Sequence, residues 1–292
     1  MLTTLVNKFD ARLDDEMTVR RATFVYTMLA LYYAFLLIPI IWLVRSSIVT
    51  DEMLRARELH LLPVNHLTIE NYMTVIGSET FRLYFINSTV IAVAVTLLTL
   101  GVGIPAAYSV SRFDYPGRDY VVLGLISSQM LPLVLVLIPF FTVMFRLGLV
   151  DTRIGLVFAH SVGVLPFVVW LLKGYFDAIP EALDEAAKMD GCGYLQIMYR
   201  IIVPLSLPGI AVAGFYAFVG SWNDYLFVSI LSQSTGTRTL PLGLQLFQTA
   251  QQVDWGAVTA AAVVTAVPVV LLFAAVHSWL VEGLSNTGGK GM

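Results

Sequence analysis

Long apolar runs without a charged residue recur along this chain, and polar segments separate them. Six of these runs have about the 20 residues that a helix needs to cross the roughly 30 Å apolar core of a bilayer. They cover residues 24–44, 83–111, 120–145, 154–172, 201–223 and 255–281. The pattern predicts six transmembrane helices, with both termini on the same side of the membrane.

Several of the apolar runs contain proline, as Pro105 shows in the second run. Proline would break a helix in water, but neighbouring helices in a membrane can satisfy the freed backbone groups. The fifth run is the least regular, because Pro204 and Pro208 restrict its start and Asp224 interrupts its end. We place the helix of this run at about residues 205–230.

The composition agrees with a membrane protein. Of the 292 residues, 58% are hydrophobic and 13% are charged, whereas a soluble domain carries about 25% charged residues. These values exclude a soluble globular enzyme and a disordered chain. A net charge of −3 provides no basic surface for nucleic acid. The single cysteine, Cys192, excludes an internal disulfide and a cysteine-cluster metal site, and we expect no metal to be bound.

The distribution of positive charge predicts the orientation. Ten of the 17 lysines and arginines lie on the side of the termini and seven on the opposite side, which places both termini in the cytoplasm by the positive-inside rule. We expect one membrane domain at residues 24–284, with cytoplasmic tails at 1–23 and 285–292. The longer outer segments would be residues 45–82 and 233–254.

A highly charged segment, residues 173–191, separates the fourth and fifth runs. Pro180 suits the first position of a helix, and Gly191 suits the left-handed turn that ends one. A helix at 180–190 would be only about 16 Å long, too short to span a membrane. Alanines recur along one side of it, which indicates an amphipathic surface helix. A loop helix that rests on its own bundle or on lipid fits the same pattern.

A spaced signature begins within this helix. It consists of Glu185-Ala186-Ala187, three residues, Gly191, nine residues and Ile201-Ile202-Val203-Pro204. It resembles the EAA signature of ATP-binding-cassette (ABC) importer permeases, with Val203 in place of the usual leucine. Four further segments are similar to carbohydrate-import permeases of the type of the maltose importer's second permease: residues 107–117, 222–225, 239–243 and 279–284. The chain as a whole also resembles the second permease of an alginate importer.

The resemblance implies an all-α, type I (MetI-like) bundle of six transmembrane helices in the bacterial inner membrane, with a cytoplasmic coupling helix that docks on an ATPase. The residues expected to couple to that ATPase are Glu181, Asp184, Glu185, Ala186, Ala187, Asp190, Gly191, Ile201 and Pro204. The implied partners are a second, different permease, two ATPase subunits, an extracytoplasmic binding protein and membrane lipid. ATP and Mg²⁺ would bind to the ATPase and no cofactor to this chain, which has no G-x-x-x-x-G-K-[S/T] phosphate-binding loop.

A sugar that crosses a membrane needs polar groups and aromatic faces in a protein-lined cavity. The candidate residues for this path are Asn87, Gln129, Tyr216, Ser221, Trp222, Asn223, Asp224 and Tyr225. Hydrogen bonding between helices explains any one of them equally well. The candidates for docking of the binding protein are four glutamines of an outer segment, Gln245, Gln248, Gln251 and Gln252. A solvated loop is the alternative for these glutamines.

The predicted function is that of a permease subunit, not an enzyme, which imports a carbohydrate, specifically an oligosaccharide, by ATP-driven alternating access. The main alternative is a proton- or ion-coupled secondary carrier, which would need acids or histidines near the membrane midplane. No run has an acid at its centre, and His160 and His277 lie near the ends of theirs. A third possibility is a membrane scaffold that recruits an ATPase without transporting anything.

Overall fold

The computed structural model describes residues 19–55, 66–247 and 253–288. Across those ranges the regular structure is helical, apart from isolated bridge residues such as Val49 and Leu67, which form an antiparallel pair. The prediction of an all-α fold is therefore confirmed. The α-helices are α1 (Val19–Ser47), α2 (Asp51–Arg55), α3 (Glu70–Gly77), α4 (Glu79–Arg112), α5 (Arg118–Ser128), α6 (Leu133–Arg146), α7 (Arg153–Asp177), α8 (Ala182–Met189), α9 (Tyr194–Ile197), α10 (Val203–Leu205), α11 (Leu207–Trp222), α12 (Leu226–Leu231), α13 (Leu240–Gly243) and α14 (Trp255–Gly288). A π-helix, Met198–Ile202, joins α9 to α10, and a 3-10 helix, Leu244–Phe247, follows α13.

Four of the described helices contain an unbroken stretch long and apolar enough to cross a membrane: Arg21–Ser47, Glu79–Arg112, Arg153–Asp177 and Trp255–Trp279. Two bent pairs of helices pass the same test together, which gives six crossings if each pair is one span. The six predicted runs therefore correspond to four continuous spans and two broken ones.

The third run is broken between α5 and α6, which meet at an angle of 103°. The break falls at residues 129–132 and ends at Pro132. Proline has no N–H to continue the helical hydrogen bonds, and it disfavours the helical conformation of the residue before it, here Leu131. A continuous helix through this run is therefore not what the chain forms.

The fifth run differs most from its prediction of one helix at about 205–230. The chain bends by 83° between the Tyr194–Leu205 segment and α11. The break falls at Ser206, and the residues on either side of it belong to a segment where Pro204 and Pro208 cannot donate backbone hydrogen bonds. A second interruption, at residues 223–225, separates α11 from α12. The predicted helix is in fact the end of the Tyr194–Leu205 segment followed by two separate helices, α11 and α12.

The larger of two compact units contains residues 73–253 and 264–292, and its centre is formed by α4, α7 and α11. Glycine lets these helices approach closely, because it has no side chain. A Cβ on Gly103 of α4 would lie 3.1 Å from the side chain of Val168 on α7, and a Cβ on Gly220 of α11 would lie 2.7 Å from Val164. Helix α8 and the loop between α12 and α13, described below, are both attached to this group of three helices.

The smaller unit contains residues 1–72 and 254–263. Here the buried side-chain amide of Asn71 donates to the backbone carbonyls of Ser47, at 3.0 Å, and Val49, at 2.9 Å. These two bonds attach the start of α3 to the last residue of α1 and to the segment that follows it.

The ends of the described helices differ slightly from the predicted domain boundaries. Helix α1 already begins at Val19, and α14 continues to Gly288, so both helices enter the segments predicted as tails, 1–23 and 285–292. The placement of these tails in the cytoplasm stays a prediction.

Candidate functional site

The predicted surface helix is present as α8, which spans Ala182–Met189. It begins two residues later than the predicted start at Pro180, whose carbonyl accepts a hydrogen bond from the N–H of Leu183 at 3.2 Å. Asp184 and Glu185 lie in its first turn, where the helix dipole favours acidic side chains.

The end of α8 is closed by a Schellman motif around Gly191. The N–H of Cys192 donates to the carbonyl of Ala187 at 2.9 Å, and the N–H of Gly191 donates to that of Lys188 at 3.0 Å. Gly191 has a φ of 81°, a left-handed conformation that costs glycine little and other residues more. The predicted role of Gly191 in ending the helix is thus explained by its backbone geometry.

The predicted coupling residues divide between two faces. Asp184 and Ala187 are buried. Ile201 is half-buried, and the exposed ones are Glu181, Glu185, Ala186, Asp190, Gly191 and Pro204. The exposed side of α8 also presents two apolar side chains, Leu183 and Met189, the second of which is 88% exposed. One face of the helix therefore contacts the bundle, and the other leaves acids and apolar groups available to a partner.

An ion pair joins the buried face of α8 to the end of α4. Nε of Arg112 lies 2.7 Å from Oδ2 of Asp184, and the side chains of the pair are only 7% and 8% exposed. Nη2 of Arg112 also donates to the carbonyl of Ile179 at 2.8 Å. Neither carboxylate oxygen of Asp184 has a hydrogen bond of good geometry among the described residues, so proximity of opposite charge holds the pair. Sequence reasoning gave Arg112 no role of its own.

A small pocket opens beside this ion pair on the surface. Its lining consists of Tyr108, Arg112, Glu181, Asp184, Glu185, Lys188 and Tyr194. Nζ of Lys188 lies 5.2 Å from the centre of the Tyr194 ring, and that ring packs edge-on against Phe113 at 5.0 Å. The end of α4, α8 and the start of α9 thus form one continuous surface.

On the far side of the larger unit, the loop between α12 and α13 is attached to α4. Asn87 is fully buried, and its amide nitrogen donates to the carbonyls of Gly236, at 3.0 Å, and Arg238, at 2.8 Å. The hydroxyl of Ser88 accepts from the N–H of Leu240 at 2.8 Å. Asn87 thus serves as a tether for this loop, and its predicted place in a substrate path stays a prediction.

Asp151, between α6 and α7, holds the same loop from another direction. It adopts a φ of 57°, which aspartate tolerates better than most residues. Its Oδ1 accepts from the hydroxyl of Thr237 at 2.5 Å, from the N–H of Ser234 at 2.9 Å and from the N–H of Gln233 at 3.0 Å. These bonds, that of Thr237 first, lower the pKa of Asp151 from 3.8 to about 2. No local sequence pattern indicated this network.

The end of α11 brings two predicted path residues together with His160 of α7. Nδ1 of His160 lies 2.8 Å from the hydroxyl of Ser221, and Nε2 lies 3.4 Å from Oδ1 of Asp224. The same oxygen of Asp224 accepts from the N–H of Phe227 at 3.0 Å and so begins α12. The buried ring of Trp222 donates its N–H to the carbonyl of Thr265 at 3.2 Å. Ser221, Trp222 and Asp224 therefore take part in contacts between helices.

The other predicted path residues are more accessible. Gln129 is exposed and donates to the carbonyl of Gly163 at 3.2 Å. Tyr216 lies 4.3 Å from Phe167 between ring centres. Asn223 and Tyr225 are exposed at the break between α11 and α12.

One predicted docking glutamine, Gln245, is exposed and donates to the hydroxyl of Tyr225 at 3.2 Å. The other three, Gln248, Gln251 and Gln252, lie outside the described residues. Over the part of the chain that is described, no group of three or more His, Cys, Asp or Glu side chains is arranged to hold a metal ion. The docking residues and the expected lack of a metal stay predictions.

Comparison with known proteins gives consistent matches over nearly the whole chain. The family model described as "binding-protein-dependent transport system inner membrane component" matches residues 99–286. The inner membrane ABC transporter permease protein YcjP of Escherichia coli K12 is 36% identical over 281 residues, which are 95% of this chain and 99% of the relative. The trehalose/maltose transport system permease protein MalG of Thermococcus litoralis is 32% identical over 259 residues, 87% of this chain and 92% of the relative.

Among solved structures, a chain of a bacterial ABC transporter involved in the import of the acidic polysaccharide alginate has a similar fold. The TM-score is 0.77, the sequence identity is 24%, and the similarity covers 90% of this chain and 98% of the other. At this identity the likeness establishes the fold.

Proposed function

Because the chain belongs to the family of binding-protein-dependent transport system inner membrane components, we propose that it imports a carbohydrate, specifically an oligosaccharide, by ATP-driven alternating access. The substrate class is inferred from one relative named for transport of trehalose and maltose and from the alginate transporter of similar fold. Trehalose and maltose are neutral sugars and alginate is an acidic polymer, so the charge of the substrate is a question for experiment.

Membership confirms the resemblance drawn from the signature at residues 185–204, and with it a transport subunit rather than an enzyme. The chain is a multi-pass inner-membrane protein. None of the matches supports the alternative of a secondary carrier. The orientation of the termini belongs to the proposal: we place both termini and α8 in the cytoplasm.

The single observation that best supports coupling to ATP hydrolysis is the geometry of α8. This helix is short, is closed by the Gly191 turn, and is fastened to the bundle by its buried face. Its exposed face carries Glu185, which can accept charge-assisted hydrogen bonds from a partner, beside Ala186, which permits close approach. We assign this face to docking on an ATPase that binds ATP and Mg²⁺.

The proposed assembly contains a second, different permease, two ATPase subunits and an extracytoplasmic binding protein. We assign docking of the binding protein to the outer segment that holds Gln245, and the substrate path to the exposed groups at the break after α11, Asn223 and Tyr225. Closure of the ATPase pair would move α8 and so change the side to which the bundle opens.

The proposal is tested with the complete complex reconstituted in vesicles together with its binding protein. Neutral and uronic-acid oligosaccharides are compared for stimulation of ATP hydrolysis and for uptake. We expect one class of sugar to stimulate both. Uptake without any associated ATPase would instead indicate a secondary carrier, and an associated ATPase without uptake of any sugar would indicate a scaffold.

A further inference from the structure

The end of α4 contacts the connection from α7 to α8 at successive points, although the two segments are far apart in the sequence. The hydroxyl of Ser111 donates to Oδ1 of Asp177 at 2.6 Å. Arg112 then donates to the carbonyl of Ile179 at 2.8 Å and pairs with Asp184 at 2.7 Å. Helix α8 is therefore fastened to α4 as well as to its neighbours in the chain.

The Arg112–Asp184 pair is poorly explained by stability alone. Removing two charges from water is costly, and replacing such a buried pair with apolar residues is often neutral or stabilising. A buried pair does, however, fix one relative position of the two elements that contribute its charges. The planar guanidinium of Arg112 suits this task, because its fork reaches the Ile179 carbonyl and the Asp184 carboxylate at once, which the single ammonium of a lysine does less well.

Helix α4 also carries the attachment of the distant loop between α12 and α13. It is one 34-residue helix, and the residues near its start, Asn87 and Ser88, bond to the backbone of Gly236, Arg238 and Leu240. Its centre is packed against α7 and α11. A single continuous helix thus contacts α8 at one end and this loop at the other.

We propose that Arg112 is a positioning residue that makes α8 and the adjoining end of α4 move as one body, so that a displacement of α8 by the ATPase is passed directly to α4. The inference rests on the proposed function, because it requires α8 to be the element that the ATPase moves. The signature residues of α8 would contact the motor, and Arg112 would connect α8 to the bundle.

The test replaces the ion pair with a covalent bond that can be added at will. The single native cysteine is first removed as Cys192→Ala, and Arg112→Cys and Asp184→Cys are introduced together. This pair leaves no buried charge without a partner, so the complex is expected to assemble, and co-purification of the ATPase checks this. The quantity measured is the amount of sugar transported per ATP hydrolysed.

Before linking, we expect this ratio to fall by about fivefold or more, within the usual range of coupling between sites. A short linker that reacts with both thiols should return it towards the level of the Cys192→Ala chain. The matched control is Arg118→Gln. Arg118 is the first residue of α5 and donates to the carbonyl of Val110 near the same end of α4, at 2.7 Å, rather than to α8, so its loss should leave the ratio unchanged.

An unlinked cysteine pair that couples as well as its background would overturn the proposal, and so would a linked pair that stays uncoupled. The reciprocal exchange Arg112→Asp with Asp184→Arg gives a second test. This double variant should transport more sugar per ATP hydrolysed than either single variant. A ratio no higher than that of the single variants would contradict the proposal. If the Cys192→Ala complex itself shows no sugar-dependent ATP hydrolysis, the proposed function fails instead, and the two failures are therefore distinguishable.

Discussion

The two segments that α4 fastens, α8 at one end and the loop between α12 and α13 at the other, are attached in different ways. Helix α8 leaves most of its surface exposed, and its side-chain link to α4 is one ion pair without well-directed hydrogen bonds to the carboxylate. The loop is held by Asn87, Ser88 and Asp151 through many directed bonds to its backbone. The first arrangement suits a segment that presents its surface to a partner and moves together with the end of α4, and the second suits a segment that keeps a fixed shape for recognition.

The largest effect is expected from a change that deforms α8 itself. Gly191→Val places a β-branched residue at a φ of 81°, which such residues rarely adopt. The turn that ends α8 should be displaced, and we expect uptake by the reconstituted complex to fall by about tenfold or more, the loss that 1.4 kcal/mol of coupling free energy produces.

Gly193→Val is the matched control for this change. Gly193 lies two residues further on, has a φ of −77°, and a Cβ there meets nothing within 4 Å. Normal uptake by the Gly191→Val chain, at equal amounts in the membrane, would show that the shape of α8 is unimportant.

A somewhat smaller loss of uptake is expected from Asn87→Leu, near the opposite end of α4. The substitution removes the amide that donates to the carbonyls of Gly236 and Arg238, and a hydrogen bond of this kind contributes about 0.5–1.5 kcal/mol to stability. If Asn87 is a tether, uptake of every transported sugar should fall by the same factor. A loss that differs strongly between sugars would instead place Asn87 in the substrate path. Uptake competition between two sugars distinguishes these outcomes.

Because Asp151 is titratable, the stability of the loop between α12 and α13 should depend on pH. Its pKa is lowered to about 2, so its contribution to the folded loop is complete well above pH 3.8 and is lost as the pH falls from about 3.8 towards 2. We expect the amides of Gln233 and Ser234 to keep the same protection from hydrogen exchange between pH 7 and pH 5, after correction for intrinsic rates, and to lose it below pH 3.8.

Asp151→Asn keeps an acceptor oxygen and tolerates the positive φ, so it serves as the control for this titration. Its amides should retain most of their protection and show no such dependence on pH. Protection in the native chain that declines already between pH 7 and pH 5 would contradict the assignment to Asp151.

The smallest effect is expected at the partly exposed ion pair of Lys173 and Asp177, which lie one turn apart on α7 with their charged atoms 2.5 Å apart. Surface ion pairs between residues one helical turn apart contribute about 0.3–0.5 kcal/mol. Lys173→Gln should therefore change the transport-to-ATP ratio by less than about twofold, in contrast with loss of the Arg112 link. An effect as large as that of the Arg112 change would mean that charge near α8 matters in general, and that the connection to α4 has no special role.

The parts of this protein that follow local rules could be predicted from its sequence. The apolar runs indicated six crossings, and the positions of Pro180 and Gly191 indicated a short helix between the fourth and fifth runs. The breaks at residues 129–132 and 223–225 were missed. In a membrane protein, proline and polar residues occur both within continuous helices and at their interruptions, and only the packing of neighbouring helices decides between the two.

The contacts that hold α8 and the loop between α12 and α13 in place could not be predicted, because they join residues that meet only after folding. Several helices separate Arg112 from Asp184 in the sequence, and several separate Asp151 from Thr237. No local periodicity therefore relates the two members of either pair. The sequence placed His160 near the end of the fourth run, but it did not indicate that the ring would contact Ser221 of α11 at 2.8 Å. The sequence thus located the short helix between the fourth and fifth runs, but not the side chains that attach it to the bundle.

The central claim is that the exposed face of α8 lies in the cytoplasm against an ATPase. The most direct measurement places a single cysteine on that face, as Ala186→Cys in the Cys192→Ala chain, and treats intact membranes with a short bifunctional cross-linker. The account predicts a cross-link to the ATPase subunit, and no labelling by a thiol reagent that cannot enter the cell. Labelling from outside, or a transporting complex in which Ala186→Cys never cross-links to an ATPase, would contradict it.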